Sequence, residues 1–518
     1  MELSCISSKK IENIRLLERS ILLKENYFPS TSFHFIYSMS HEVSPSSYLS
    51  KHALFFLTLF SLTGLFLFLF LTSRRIFFPY ALDSCESYSL HRALRFASKQ
   101  PVYRSTKSPP FLLSNYPPIY EYLTSLFLRK PTFFWGRLIS YLSYTFVLLL
   151  IVIIVWQRTH SISISLVAAA SPLFSRSAWA WMALHRVDAL ALFWNTLALA
   201  LYLKTKRPLL TIPFLIGAGY TKQSFLALPI AIFLWTYRVS RKEAFVFLFL
   251  YAFVGFSILM VASFFTDFQF IYHTIYYNFT PSSWRRAVDM SLRPLGKCFA
   301  IWLLIAFHHY CYKKFEFLHL YAFCSYAVLV LTSGKLGSSW NYFLELGVVM
   351  ALLWGDTLHL CLVCPLRPSR RVFYLLLGIQ LLYSISYLSQ KEKDFWRRWT
   401  KRLSAKQKLK RLLSNLPAGQ ILCENVEQRT KIPATDVVVL SGHTLALNIH
   451  YYLMIKGKLW NPAPLQNAIR QQRFSVVILD RPVGSVEAKI RPRWKYLRQS
   501  YVFWTTVGPY VLYRPKKR

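Results

Sequence analysis

Apolar runs long enough to cross a bilayer as helices recur along this chain, and no other feature restricts its fold so strongly. HALFFLTLFSLTGLFLFLFLT (52–72), FVLLLIVIIVW (146–156, extended upstream by 132–145) and EAFVFLFLYAFVGFSILMVASFF (243–265) are such runs. About 20 largely apolar residues cover the hydrocarbon core of a membrane. Hydrophobic residues make up 54% of the 518 positions and charged ones 16%, which is not the balance of an ordinary soluble chain. The expected fold is an all-α polytopic membrane protein with a small α/β C-terminal domain.

Hydropathy and the preference of short cytoplasmic loops for Lys and Arg place about 11 transmembrane helices. They fall near 51–73, 132–156, 161–179, 187–203, 208–220, 223–237, 244–265, 296–312, 315–332, 341–361 and 371–388. The runs at 208–220 and 223–237 are short enough to be broken or re-entrant. With the N-terminus inside, QRTH, KTKRP, YRVSRK, CYKKFE and CPLRPSRR all lie in the cytoplasm, and each is basic. Residues 1–50 are then a cytoplasmic extension. Residues 51–388 form the membrane domain, with a large outer loop at 74–131. Residues 389–518 form an extracytoplasmic domain, whose strands are expected at 436–440, 474–480 and 508–514, with a helix in PLQNAIRQQ.

Lys and Arg number 62 against 22 Asp and Glu. Because the basic residues are spread between spans, they point to membrane lipid or an anionic substrate and not to nucleic acid. The eight cysteines are scattered along the chain and give no metal-binding or disulfide framework. No phosphate-binding glycine loop, dinucleotide fingerprint or HExxH is present.

In so acid-poor a chain, DSCE (83–86) stands out. Asp83 with Glu86 three residues on can be a capping box ahead of a helix at 84–97. It can equally be a general base with a partner acid that orients the acceptor or binds a cation. The topology gathers other polar residues on the same outer face. They are Tyr116 and Tyr120 in NYPPIYEYL, His185, Arg186 and Asp188 in HRVD, Thr221, Lys222 and Gln223 in GYTKQSF, and Lys335, Asn341 and Glu345 in GKLGSSWNYFLE. The bland readings are belt aromatics for the tyrosines and a snorkelling Arg with an Asp partner for HRVD. Lys222 and Lys335 sit at outer ends, where the orientation rule asks for no cation, and a bound phosphate would explain them. Glu345 lies one turn inside an apolar helix, where an ionisable group is a functional candidate.

The order of these segments resembles the GT-C membrane glycosyltransferases, in the branch akin to protein O-mannosyltransferases and lipid A aminoarabinose transferases. DSCE, SLHRALRF, NYPPIYEYL, RVDALALFW, GYTKQSFLALP, KLGSSWNYFLE and the tail from GHTLALNIHYY to FSVVILD carry the resemblance. It implies an enzyme in the cell (inner) membrane with its site on the extracytoplasmic side. Such an enzyme passes a sugar from a polyprenyl-phosphate donor to a glycolipid, polysaccharide or protein acceptor. On that analogy Asp83 is the base, Glu86 assists it, and Arg186, Lys222 and Lys335 hold the donor phosphate. Tyr116, Tyr120, Asp188, Gln223, Asn341 and Glu345 would line the substrate site. The acids are separated by Ser84 and Cys85 where the mannosyltransferase pattern has them adjacent, so the use of a divalent cation, Mg²⁺ or Mn²⁺, stays open. A transporter of lipid-linked sugars and a catalytically silent scaffold are the alternatives. The scaffold requires both acids to face solvent.

Overall fold

The computed structural model describes residues 47–518, apart from 84, 175, 298–314, 364–389, seven positions between 391 and 402, 425–433, 448–450, 452, 453, 456, 480–492, 517 and 518. Contacts divide the chain into a unit up to Phe55 and a unit from Phe56 to Arg518. The start of the helix Ser47–Ile76 falls in the first unit, and the remaining described elements belong to the second. The spans expected at 296–312 and 371–388, and nearly all of the N-terminal extension, lie outside the described residues.

Among the described residues, four helices are long and apolar enough to cross a membrane: Leu54–Ile76, Phe134–Thr159, Arg241–Phe264 and Trp340–Leu360. Only 11% of the first and third is covered by protein, against 72% of the last, so the last is central and the other two expose apolar sides. Helices Ile162–Leu173, Pro208–Thr221, Ala227–Val239 and Phe317–Ser333 are apolar but shorter. The run expected as a continuous span at 161–179 is instead broken. A helix Ile162–Ala170 gives way to a 3₁₀ turn Ser171–Phe174 and then to Arg176–Trp181. Pro172, with no N–H to donate, accounts for the interruption. Local chemistry sets the starts: Ser161 and Ser240 cap their helices by accepting from Ile164 N and Glu243 N.

Residues 420–515 carry a five-stranded mixed sheet in the order β2-β1-β3-β5-β4. Its strands are β1 Gln420–Glu424, β2 Thr444–Leu445, β3 Val476–Leu479, β4 Tyr501–Val507 and β5 Tyr510–Pro515. Strand β1 runs parallel to β2 and β3, while β5 is antiparallel to β3 and β4. Gly508, at φ 58°, makes the tight β4–β5 turn, where a side chain would be strained. Strands β3 and β5 and the helix Ala463–Arg470 fall where the sequence predicts them. DVVVL does not, because Thr435–Leu440 is a helix. Its three valines are all buried, which alternation across a half-exposed strand would not give. Their β-branched character is overridden by packing, and β1 takes the sheet position instead.

The sheet also explains why the tail and the first loop form one body. Successive strand residues point to opposite faces. Leu422, Val477 and Leu479 pack with Phe111 and Leu113 of the loop on one face. Ile421, Cys423, Val476 and Ile478 pack with Tyr80, Ala81, Tyr88 and Leu90 on the other. Phe111 N also donates to Ala446 O at 2.8 Å. Phe111 is fully buried between Tyr451 and Trp460. Phe111→Ala should therefore destabilise the C-terminal domain by about 3–5 kcal/mol. Denaturant unfolding followed by protease cleavage within 403–518 would read this, and an unchanged midpoint would contradict the interlocking.

Candidate functional site

The site is built on a buried ion pair. Helix Phe134–Thr159 carries Arg137 in its first turn, and the helix Glu86–Ala97 begins at Glu86. Both side chains are 0% exposed. Arg137 Nε donates to Glu86 Oε1 (2.9 Å) and Nη2 to Oε2 (2.8 Å), while its remaining hydrogens go to the carbonyls of Arg75, Phe78 and Tyr80. Glu86 further accepts from Leu82 N (2.5 Å), Asp83 N (3.4 Å) and His185 N (2.6 Å). Burial pushes its carboxyl up, but Arg137 and these hydrogen bonds outweigh that and hold it below the usual range. Asp83 Oδ1 in turn accepts from Cys85 N at 2.9 Å. The capping box expected of Asp83 and Glu86 does not form: the helix starts after Cys85 with no side-chain cap, Glu86 N bonds the backbone carbonyl of Asp83, and only the Glu86-to-Asp83 N half is present.

Glu86, expected to assist catalysis, is enclosed and committed to these partners. Asp83 keeps 28% of its side chain exposed. Arg186 Nη1 donates to Asp83 Oδ1 at 2.9 Å, and its Nε lies 3.3 Å from Asp188 Oδ2. The guanidinium stacks 4.4 Å from the Trp181 ring. Burial would lower Arg186, but Cys85, Asp83 and Asp188 more than offset it and hold the group well above its ordinary value. Behind this pair, Asp188 Oδ1 accepts from Lys222 Nζ and Asn341 Nδ2, both at 2.7 Å. Lys222, 2% exposed, also lies 4.7 Å from the Tyr342 ring. A cleft lined by Cys85, Tyr88, Ser89, Arg92, Asn115, Tyr116, Arg186 and Val187 opens beside Asp83.

The remaining candidates divide. Gln223 Nε2 and Asn278 Nδ2 both donate to Asn115 O at 2.9 Å, and Lys335 Nζ donates to Asn278 Oδ1 at 3.2 Å. Gln223 and Lys335 are thereby tied to the backbone of a cleft residue. Burial lowers the Lys335 ammonium to about 8. Glu345 accepts from Asn195 Nδ2 and Tyr321 OH in a separate buried group among the helices. Tyr120 is fully buried, its hydroxyl donating to Gly136 O, so it packs the scaffold and does not line the cleft. His185 is wedged between Tyr120 and Phe133, where burial lowers it to about 3 and keeps it neutral.

Sequence reasoning missed Arg137, Arg92, Asn115, Asn278, Trp181 and Tyr342. Arg137 had a usable signal, a lone cation at the start of an apolar span. The others look ordinary until the fold assembles them. For a divalent cation, the donor set does not fit. No group of three His, Cys, Asp or Glu gathers among the described residues, and Asp83, Glu86 and Asp188 each face their own guanidinium or ammonium.

Removing either partner of the Arg137–Glu86 pair strands a buried charge, so Arg137→Met and Glu86→Leu should each cost about 3–5 kcal/mol. The double change to Met and Leu should recover most of that loss. Thermal unfolding in detergent of the three variants would show it, and additive losses would contradict the pairing.

No family model and no curated protein sequence matches the chain. Among solved structures it is similar to the crystal structure of ArnT from Cupriavidus metallidurans bound to undecaprenyl phosphate. Identity is 12% and the TM-score 0.53, over 88% of this chain and 97% of that one. The apo state of the same protein gives a TM-score of 0.54 at the same identity and coverage. The archaeal oligosaccharyltransferase AglB from Archaeoglobus fulgidus, in complex with an inhibitory peptide and a dolichol-phosphate, gives a TM-score of 0.48 at 10% identity, over 88% of this chain and 74% of that chain. The chain therefore shares the fold of ArnT, a GT-C fold.

Proposed function

We propose that this protein is a membrane glycosyltransferase that moves a sugar from a polyprenyl-phosphate donor to an acceptor on the extracytoplasmic face of the cell membrane. The acceptor is a glycolipid, a polysaccharide or a protein. The observation that carries the reading is Asp83, partly exposed and paired with Arg186, a residue that lines the neighbouring cleft together with Cys85. A silent scaffold would have left both acids of DSCE in solvent, whereas Glu86 is fully buried. The ArnT structure contains undecaprenyl phosphate on a similar fold, which supports a lipid-linked donor here.

In this reading the acceptor oxygen attacks the anomeric carbon, Asp83 takes its proton, and the carbon–oxygen bond to phosphate breaks. The leaving phosphate keeps the electron pair and gains negative charge, which fixed cations stabilise. Arg186 and Lys335 are the cations suited to it. Lys222 is spent on Asp188 and serves to hold the Asp188–Arg186 string in line. Asn341 Oδ1 and Gln223 Oε1 are buried acceptors without a hydrogen-bond donor among the described residues, a fit for sugar hydroxyls.

Asp83→Asn should lower transfer by about 10²–10⁴-fold while the protein still inserts and melts normally. Membranes offered radiolabelled polyprenyl-phosphate sugars would measure this, and wild-type turnover in the variant would remove the base assignment. For Lys335 the sign follows from its lowered value: the ammonium is present below about 8 and lost above it. A phosphodiester donor does not titrate in that range. The donor KM should therefore rise as pH passes about 8 in the natural enzyme and stay level in Lys335→Arg. A KM independent of pH in both would refute the phosphate role.

A further inference from the structure

Three consecutive amides of the segment that presents Asp83 are held by two buried carboxylates, one from the next turn of the same segment and one from far along the chain. Leu82 N and Asp83 N donate to Glu86, four and three residues on. Ala81 N donates to Asp436 Oδ2 of the C-terminal domain at 3.0 Å. Asp436 is 0% exposed, and Lys406 Nζ donates to the same oxygen, while Oδ1 accepts from Val437 N at 2.8 Å. The Lys406 ammonium also lies 5.4 Å from the Tyr80 ring. One residue away, Thr435 Oγ1 meets Ser87 Oγ at 3.1 Å, in the first turn of the helix that begins at Glu86.

Docking alone does not require this acid. The valines of Thr435–Leu440 already pack with Tyr88 and Leu90 of the loop. A buried ion pair is on average no more stabilising than apolar side chains of similar shape. What a carboxylate adds here is a fixed acceptor for a backbone N–H two residues ahead of Asp83, in a stretch with no helix or strand of its own. We propose that Asp436 is a positioning residue for the transfer reaction, setting from the C-terminal domain the backbone that aims Asp83. The proposal rests on the reading of Asp83 as the base.

Two paired substitutions separate position from packing. Asp436→Asn with Lys406→Met keeps an oxygen for Ala81 N and leaves no stranded charge. Asp436→Leu with Lys406→Met fills similar space but offers no acceptor, and Asp436→Ala with Lys406→Met gives the same comparison if leucine does not fit. In intact membranes the acceptor-free pair should fall about tenfold or more below the asparagine pair in kcat, with donor KM within about twofold, since displacement by an ångström is enough for such a loss. Hydrogen exchange of a peptide spanning 79–86 should be faster in the acceptor-free pair, at similar melting temperatures. Equal kcat and equal exchange in the two pairs would overturn the proposal, as would a change confined to KM. Wild-type turnover in Asp83→Asn would sink the base reading instead, and would leave the exchange contrast standing.

Discussion

The structure depends on one guanidinium buried at the start of an apolar helix. Arg137 spends all five of its N–H groups on Glu86 and on the carbonyls of Arg75, Phe78 and Tyr80. That chain segment leaves the first apolar helix and must turn back into the loop with no regular structure to satisfy its backbone. An arginine is suited to this because its planar fork presents five donors in fixed directions and does not deprotonate. The pair contributes less to net stability than its geometry suggests, since both charges were taken out of water. Its consequence is local: the carbonyls of Arg75, Phe78 and Tyr80 all find a donor in a stretch that leaves the helix.

On that footing the rest of the site is a chain of short, mutually oriented contacts. Glu86 holds the amides of Leu82 and Asp83, Asp83 meets Arg186, Arg186 meets Asp188, and Asp188 is closed off by Lys222 and Asn341. Alternating charges along such a string neutralise one another, so several ionised groups can be buried together. Of this string only Asp83 retains substantial exposure, next to Cys85 and Arg186 of the cleft. The C-terminal domain enters the same construction through both faces of its sheet and through Asp436. It is built into the site as a wall of the loop.

Four of the expected spans were legible as long apolar helices, because span length and apolar composition follow directly from the solvent. The gathering of DSCE, HRVD, TKQ and the WNYFLE region was legible as well, through the topology that ordered them. What the sequence hid was the division of labour. Asp83 and Glu86 look equivalent in one motif, yet a partner 51 residues away at Arg137 buries one and leaves the other partly open. Tyr120 and Tyr116 look equivalent too, but only Tyr116 lines the cleft. DVVVL read as a strand because its residues favour one, and tertiary packing decided otherwise. Asp436 carried no signal at all, since its partner is the amide of Ala81, 355 positions earlier.

The central claim is that the cleft beside Asp83 is where a lipid-linked phosphate and an acceptor meet. A cryo-EM structure of the protein with undecaprenyl phosphate in a lipid nanodisc tests it most directly. The account predicts phosphate density within hydrogen-bond reach of Arg186 or Lys335, with Asp83 facing the space beyond it. Phosphate density bound reproducibly elsewhere, with the Asp83 cleft closed to it, would contradict the account.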